Sequence, residues 1–293
     1  MALTFLRTIE EARAFADAAR HDRQTLGLVP TMGYLHAGHL ALVDRAKQLA
    51  QRVAVTIFVN PTQFGPAEDL ARYPSDLAGD ARQCEQAGVD AVFTPHRSEM
   101  YPAGFQTFVE VTDVSRGLCG EKRPGHFRGV ATVVAKLLSI FRPGFAVFGE
   151  KDYQQLQVIR RLNADLNLGA QIIAVPTVRE PDGLAMSSRN AYLSAADRSR
   201  AVAISRGLRR CQQLAAEGLR ESSQLVAVLR DELSRAQLRE DYLAIVDAET
   251  LVPLERLGST PARALVAAFT GSTRLIDNIG LDTRSPDGGS AKR

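Results

Sequence analysis

Short apolar runs alternate with longer amphipathic stretches through roughly the first 175 positions of the chain. Apolar residues cluster at 26–29, 53–59, 91–93, 145–148 and 172–175, and each cluster is short and bounded by glycine, proline or polar residues. Such runs predict strands, and the second, nearly all β-branched or apolar, predicts a strand buried on both faces. Between them, residues 8–20, 36–51, 76–87, 129–141 and 152–166 carry apolar positions three and four apart, the period of a helix. Thr8, followed three residues later by Glu11, marks a capped helix start. Strands alternating with helices predict an α/β fold, a Rossmann-like doubly wound parallel sheet. In such sheets ligands sit beyond the carboxyl ends of the strands.

The pattern changes near residue 178. Beyond it two long helical stretches, 195–217 and 222–236, come first, and strand-like runs follow at 242–246, 264–269 and 274–278. Helices followed by antiparallel strands predict a smaller C-terminal α+β domain. The expected division is therefore residues 1–178 and 179–293, with a Gly/Ser/Pro-rich tail from about 284 expected to be disordered.

Composition narrows the class. With 293 residues and 45% hydrophobic content the chain can build a large core. A net charge of +3 from 36 basic and 33 acidic residues gives no concentrated basic surface, so nucleic acid is not an expected partner. Only five basic residues are lysines, which singles out Lys151 inside a tight motif. Three scattered cysteines make no disulfide framework and fit a reducing compartment. No charged-then-apolar leader opens the chain, and no run reaches the roughly 18 apolar residues of a membrane span. The expectation is a cytoplasmic protein without a membrane partner.

The chemistry concentrates just after predicted strands. The first strand runs into Pro30-Thr31-Met32-Gly33-Tyr34-Leu35-His36-Ala37-Gly38-His39 and then a helix. A helix N-terminus presents backbone N–H groups to an anion, and two histidines three apart share a face there. Gly38 leaves room for a flat ligand. A zinc pair is the competing reading of His36 and His39, but no third ligand lies nearby. After the second strand comes Asn60-Pro61-Thr62-Gln63-Phe64, in which Gln63 offers donors and acceptors to a polar substrate; an ordinary turn is the alternative.

Gly149-Glu150-Lys151-Asp152-Tyr153-Gln154-Gln155 follows the strand ending at residue 148. Lys151 is a point charge suited to phosphate, and Asp152 can accept both ribose hydroxyls or cap the next helix. Gln155, one turn on, faces the same side. Arg123-Pro124-Gly125-His126-Phe127-Arg128-Gly129 is a basic loop whose Arg123, His126 and Arg128 gather anions or are merely solvated. At the domain boundary, Asp182-Gly183-Leu184-Ala185-Met186-Ser187-Ser188-Arg189-Asn190 places two hydroxyls and a guanidinium on a glycine-hinged loop. That combination suits a leaving pyrophosphate.

In this ordered set of motifs, together with Arg274-Leu275-Ile276-Asp277-Asn278, the chain resembles the pantothenate synthetase (pantoate–β-alanine ligase) family, from about residue 25 to 280. The resemblance implies an ATP-dependent condensation of pantoate with β-alanine to pantothenate. It proceeds through a pantoyl adenylate and releases pyrophosphate and AMP, with Mg2+. It also implies a homodimer. ATP is expected at Met32, Gly33, Tyr34, Leu35, His36, Ala37, Gly38 and His39, at Gly149, Glu150, Lys151 and Asp152, at Val178 beside adenine, and at Met186, Ser187, Ser188 and Arg189. Pantoate is expected at Gln63 and Gln155, and β-alanine at Gln63. His39, His36 and Lys151 are the expected catalytic residues, and the family's usual role for His39 is proton donor.

The attacking carboxylate is already ionised near neutrality, so adenylation needs no general base. His39 is therefore expected to act as a hydrogen-bond donor to developing charge. Asp76 and Asp80 are candidate magnesium ligands by sequence proximity alone, and the phosphates can supply much of the coordination. Cys119, between polar neighbours, is expected on an exposed loop without a role.

Two other functions remain open at this level, another HxGH nucleotidyltransferase and a non-catalytic nucleotide-binding module. The neutral glutamines disfavour the first, which needs a basic phosphate pocket. The paired glutamines and the Ser-Ser-Arg loop disfavour the second. Met186-Ser187-Ser188-Arg189 also lacks the lysines of the loop used in tRNA charging.

Overall fold

The computed structural model describes residues 3–66 and 68–281, so the expected disordered tail lies outside the described residues. The chain divides into two compact units, Met1–Val178 and Arg179–Arg293.

The first unit opens with strand β1 (Thr4–Leu6) and helix α1 (Ile9–His21), whose start is the expected capping box between Thr8 and Glu11. Then come β2 (Leu26–Thr31), α2 (Ala37–Leu49), β3 (Arg52–Ile57), α3 (Leu77–Gln86), β4 (Ala91–Phe93), the short helices α4 (Arg97–Met100) and α5 (Leu118–Lys122), α6 (His126–Phe141), β5 (Phe145–Gly149), α7 (Tyr153–Asp165) and β6 (Gln171–Val175). All strands pair in parallel, in the order β1-β4-β3-β2-β5-β6. This is the expected doubly wound sheet with one further edge strand. β1 escapes the hydrophobic pattern because only Leu6 of its three residues is buried.

Val53, Ala54 and Val55 of β3 are fully buried beside Leu28 and Val29 of β2, as a strand covered on both faces requires. β3 ends at Ile57, two residues short of the expected run, because the following segment turns at Pro61. α6 begins one turn earlier than expected, since His126 and Phe127 are themselves buried. The chain steps outward from β2 to β3 and β4, then returns to the other side of β2 to lay down β5 and β6. The order reverses between β2 and β5, and at such a reversal a crevice opens beyond the carboxyl ends of the strands. The loops leaving β2, β3 and β5 carry the three motifs singled out above.

The second unit places α8 (Ala195–Ala216) and α9 (Ser222–Arg235) with an antiparallel sheet of β7 (Arg239–Asp247), β8 (Ala262–Thr270) and β9 (Thr273–Leu281), ordered β7-β8-β9. Leu208, Leu225, Leu229 and Leu233 of the helices share a core with Ala264, Val266 and Leu275 of the sheet. This is the α+β arrangement expected of the C-terminal part.

Candidate active site

The turn after β2 is held from outside by α3. Gly33 and Tyr34 both lie in the left-handed region, with φ of +84° and +52°. At Gly33 a side chain is excluded twice, by conformation and because its Cβ would lie 2.9 Å from Ile57 Cγ2 and 3.0 Å from Asp80 Oδ2. Asp80 is 1% exposed. Its Oδ2 accepts the Tyr34 amide at 2.8 Å and its Oδ1 the Leu35 amide at 2.7 Å. One turn along α3, Gln83 Nε2 donates to the Leu35 carbonyl at 3.3 Å. Burial pushes the Asp80 carboxyl above its usual range, Asp76 adds to that, and the two amide bonds oppose it. Asp80 thus clamps the turn, each carboxylate oxygen accepting one backbone amide, a role its magnesium candidacy did not suggest. Asp76 caps α3 through the Gly79 amide at 2.9 Å.

The two histidines cap the helix that follows. His36 is the N-cap of α2, and its Nδ1 accepts the Gly38 amide at 3.1 Å. His39, at the third helical position, accepts the His36 amide on its own Nδ1 at 3.3 Å. The amides of His39 and Leu40 both donate to the His36 carbonyl. The expected open row of backbone donors is thus largely spent within the helix start itself. What the turn presents instead is imidazole. A ring nitrogen that accepts from an amide carries no proton, so in each neutral ring the proton sits on Nε2 and makes that atom a donor. The rings lie 4.0 Å apart, centre to centre. Desolvation, then the positive potential of His36 and Lys151, pulls the His39 pKa down to about 3, against a weaker opposing pull from Asp152. His39 is therefore neutral at physiological pH, and Lys151 and Asp152 are close enough to act on it.

Gln63 reaches the same crevice from the β3 end. It closes a 3-10 turn, Pro61–Gln63, capped by Asn60. Asn60 is fully buried and fully bonded: its Nδ2 donates to Gln63 Oε1 at 3.0 Å and to the Gly129 carbonyl at 3.1 Å. Its Oδ1 accepts from Tyr101 Oη at 2.8 Å and Thr62 Oγ1 at 2.9 Å. This fixes the amide of Gln63 with Nε2 directed at Met32 Sδ, 3.3 Å away. A thioether is a weak acceptor, so a substrate oxygen can take that donor at little cost. Gly129 of α6 packs on the same turn, where a Cβ would lie 2.4 Å from the Thr62 carbonyl oxygen.

In the basic loop, Arg123 and His126 are engaged within the fold. Arg123 binds Glu68 in a fork, Nε to Oε1 at 2.6 Å and Nη2 to Oε2 at 2.8 Å. Arg128 lies over the Phe108 ring. His126 is buried, donates from Nδ1 to the Gln63 carbonyl at 2.8 Å and accepts from Arg123 on Nε2 at 3.0 Å. Burial and Arg123 hold its pKa near 4. The loop supports Gln63.

After β5, Glu150–Asp152 forms a 3-10 turn leading into α7. Asp152 occupies the cap position without a side-chain cap bond, and its Oδ2 lies 3.6 Å from Lys151 Nζ. Gly149 has an ordinary φ of −82°, and a Cβ there would meet only Leu42 Cδ2 at 3.9 Å. Neither conformation nor packing demands glycine at that strand end. Gln155 is partly exposed on α7, whereas its neighbour Gln154 is buried and ties down the chain around Cys119. Gln154 Oε1 accepts the Cys119 amide, and its Nε2 donates to the carbonyls of Val114 and Arg116. Cys119 is consequently buried at the start of α5, not on an exposed loop. Val178 is partly exposed at the end of the first unit.

The second unit carries Met186, Ser187, Ser188 and Arg189. Ser187 Oγ accepts the Arg189 amide at 3.3 Å and caps the 3-10 turn Ser188–Tyr192. Ser188 is buried, while Met186, Ser187 and Arg189 are partly exposed. Among the described residues, no group of three or more His, Cys, Asp or Glu side chains fits a metal ion, and no helix is long and apolar enough to cross a membrane.

The sequence points to Asp80 as a magnesium candidate and to His126 as an anion-gathering one, but not to their supporting roles, nor to those of Asn60 and Gly129. Asp80 leaves a faint trace, an acid one helical turn before the buried Cys84 and so on the core side of α3. The others act only through tertiary contacts.

The family model for pantoate-beta-alanine ligase matches residues 4–280. The pantothenate synthetase of Myxococcus xanthus is 62% identical over 283 residues, 96% of this chain and 97% of that protein. The pantothenate synthetase of Thermus thermophilus superposes with a TM-score of 0.89 at 46% identity, covering 94% of this chain and 98% of that one. A pantoate-beta-alanine ligase of Francisella tularensis, solved with β-γ ATP and β-alanine, superposes with a TM-score of 0.80 at 34% identity over 95% and 97% of the two chains. With a doubly wound sheet, a histidine-capped turn at its reversal point and this agreement along nearly the whole length, the chain belongs to the pantoate-beta-alanine ligase family, enzymes that use ATP to join pantoate to β-alanine through an acyl adenylate.

Proposed function

We propose that the crevice between β2 and β5 holds ATP and pantoate, with named side chains in distinct roles. The observation that carries the reading is the pair of capping histidines, whose Nδ1 atoms accept amides and whose Nε2–H groups are thereby left as donors. The segment Met32, Gly33, Tyr34, Leu35, His36, Ala37, Gly38 and His39 lines the ATP phosphates. Lys151 supplies the permanent cation there. Gly149, Glu150 and Asp152 take the ribose, which the undemanded glycine at the strand end supports. Val178 borders the adenine. Gln63 and Gln155 bind pantoate, Gln63 with the Nε2 donor that Asn60 has oriented, and Gln63 also receives β-alanine. Met186, Ser187, Ser188 and Arg189 of the second unit contact the departing pyrophosphate.

In the first step a pantoate carboxylate oxygen attacks the α-phosphorus. The bond from that phosphorus to the bridging oxygen of the β-phosphate breaks, and pyrophosphate leaves with the electron pair. No proton moves, so His39 and His36 contribute donation to the growing negative charge, a kind of contact worth about 10²–10³ in rate for one donor. In the second step the neutral amine of β-alanine attacks the acyl carbon. The amide bond forms, AMP leaves and the amine proton passes to solvent. The resemblance implies magnesium, which would be held largely by the ATP phosphates and would help offset their charge.

A nucleotidyltransferase acting on a phosphate acceptor would need a cationic acceptor pocket; here the acceptor positions are glutamines and Arg123 is consumed by Glu68. We further propose a homodimer in the cytoplasm, the latter supported by three buried thiols; sedimentation in solution and cell fractionation check these. The deciding assay is pyrophosphate release from ATP with and without pantoate. Release that does not depend on pantoate overturns the reading.

A further inference from the structure

Arg274-Leu275-Ile276-Asp277-Asn278 lies on β9, and none of the reaction chemistry above uses it. Its polar residues each meet a partner within the second unit. Arg274 pairs with Asp241, and Asn278 Oδ1 accepts from Arg263 Nε at 2.6 Å. Asp277 does something different. It is buried, with its side chain 3% exposed, and it takes the Arg179 guanidinium in a fork, Nη1 to Oδ2 at 2.5 Å and Nη2 to Oδ1 at 3.0 Å.

Arg179 opens a tight hairpin. Its Nη1 also donates to the Gly183 carbonyl at 3.2 Å, and its backbone bridges to Ala185. Within the hairpin the Glu180 amide donates to the Leu184 carbonyl and the Gly183 amide to the Glu180 carbonyl, both at 2.8 Å. Gly183 sits at φ +94°, so the reversal depends on glycine. Ala185 leads directly into Met186, Ser187, Ser188 and Arg189. On the far side of that segment Asn190 Nδ2 closes back on Glu180 Oε1 at 2.8 Å and on the Ala185 carbonyl at 3.1 Å. Arg198 of α8 also holds the hairpin, donating to Glu180 Oε2 at 2.6 Å and Asp182 Oδ2 at 2.8 Å, so the Ser-Ser-Arg turn is carried on a frame with a half-exposed anchor on α8 and a buried one, the Arg179–Asp277 fork.

A buried ion pair stabilises little relative to a well-packed apolar pair, because desolvation offsets the attraction. What a two-bond fork adds is orientation, since guanidinium and carboxylate planes must align. We propose that Asp277, through Arg179, is a positioning residue for pyrophosphate departure. It sets the placement of the Ser187–Arg189 turn without touching substrate. This rests on the reading that the turn contacts the pyrophosphate.

The test uses the full-length enzyme and separates the half-reactions: pantoate-dependent exchange of pyrophosphate into ATP, and aminolysis of supplied pantoyl adenylate by β-alanine. Asp277→Asn keeps the shape and removes the charge; Arg179→Lys keeps the charge and removes the fork. Both are expected to slow exchange about 10- to 100-fold, the scale of a small misplacement, with a raised KM for pyrophosphate and aminolysis unchanged. Equal loss in both half-reactions means a merely structural role and overturns the proposal, as does unchanged exchange. If Asp277→Asn does not fold, Arg179→Lys decides by the same two readouts. Arg189→Ala separates the levels: unchanged exchange there refutes the turn's contact with pyrophosphate and this proposal with it. Lost exchange in Arg189→Ala beside normal exchange in Asp277→Asn refutes the positioning alone.

Discussion

Replacing Asp80 by asparagine tests whether the histidine-capped turn after β2 is held by α3. Asparagine has nearly the same shape but only one oxygen. Asp80 serves two adjacent amides, at 2.7 and 2.8 Å, so either orientation of the new amide faces one backbone N–H with an NH2 group. A buried donor left without an acceptor costs about 1–3 kcal/mol, and the surviving bond loses its charge assistance as well, so a loss of about 2–4 kcal/mol is expected. The turn also holds Tyr34 in the left-handed region, a conformation costing a non-glycine residue about 1–2 kcal/mol that the clamp sustains. With one amide released, the segment relaxes and carries Met32 and His36 with it. A displacement near 1 Å of such groups costs about a hundredfold in rate.

Two measurements check this. Urea unfolding followed by circular dichroism, the chain having no tryptophan, reports the stability loss. Pantoate-dependent pyrophosphate exchange reports adenylation, with Gln83→Leu, which removes only the Leu35 carbonyl contact, as a milder companion. Magnesium supplies the discriminating arm. If Asp80 were a metal ligand, raising the magnesium concentration would restore much of the rate of Asp80→Asn; as a clamp, it leaves the defect in place. Wild-type exchange in Asp80→Asn, or recovery with magnesium, refutes the reasoning.

At His39, glutamine can fill both the observed cap bond and the proposed donation, since glutamine at the third helical position accepts the N-cap amide on its oxygen and keeps an NH2 donor. His39→Ala is expected to slow adenylation about 10²–10³-fold and His39→Gln markedly less; equal losses refute the donor role. With its pKa near 3, His39 adds no limb to the pH profile of kcat/KM for ATP around pH 6–7, and a limb there that vanishes in His39→Gln would show a titrating acid instead. His126, held near 4, is neutral in the fold but protonated below about 6.5 in the unfolded chain. The unfolded state therefore binds the extra proton first, stability falls as pH drops from about 6.5 toward 4, and the slope is shallower in His126→Gln; an unchanged slope counts against this. Gly129→Ala brings a Cβ to 2.4 Å from the Thr62 carbonyl, an overpacking expected to cost about 1–3 kcal/mol and to raise KM for pantoate more than for ATP; unequal change in the opposite sense refutes the support of Gln63 by α6.

The fold was largely legible because β2, β3, β4 and β5 are short runs buried on both faces while most helices bury one face, and α6, buried nearly all round, is too long for a strand. β1 was not, since three residues with one buried side chain make no period. The loops after β2, β3 and β5 could be placed because glycine and proline punctuate strand ends. The supporting groups could not. Asp80 sits 45 and 46 residues from the amides it holds, and Asn60 and Gly129 meet across 69. Nothing local marks an acid as clamp rather than ligand; the difference lies in what faces it after folding. The same limit misplaced the basic loop, where Arg123 has its partner Glu68 at a separation of 55 residues.

The helix start bears most on the chemistry. A bare helix N-terminus would meet the triphosphate with fixed backbone dipoles. Here the amides of Tyr34 and Leu35 are spent on Asp80, that of Gly38 on the His36 ring, and those of His39 and Leu40 on the His36 carbonyl. In the proposed site, donation to the phosphates therefore falls to imidazole edges, and the capping bonds themselves choose the tautomer that makes those edges donors. Burial beside Lys151 keeps His39 from taking a second proton, so that in the proposed site it serves as a neutral donor beside a fixed cation. That division suits a step in which charge migrates from the attacked phosphorus to a departing pyrophosphate. The neutral donors strengthen as charge accumulates on the oxygens they face, whereas a further fixed cation would hold substrate and product alike and contribute less to the difference between ground and transition states.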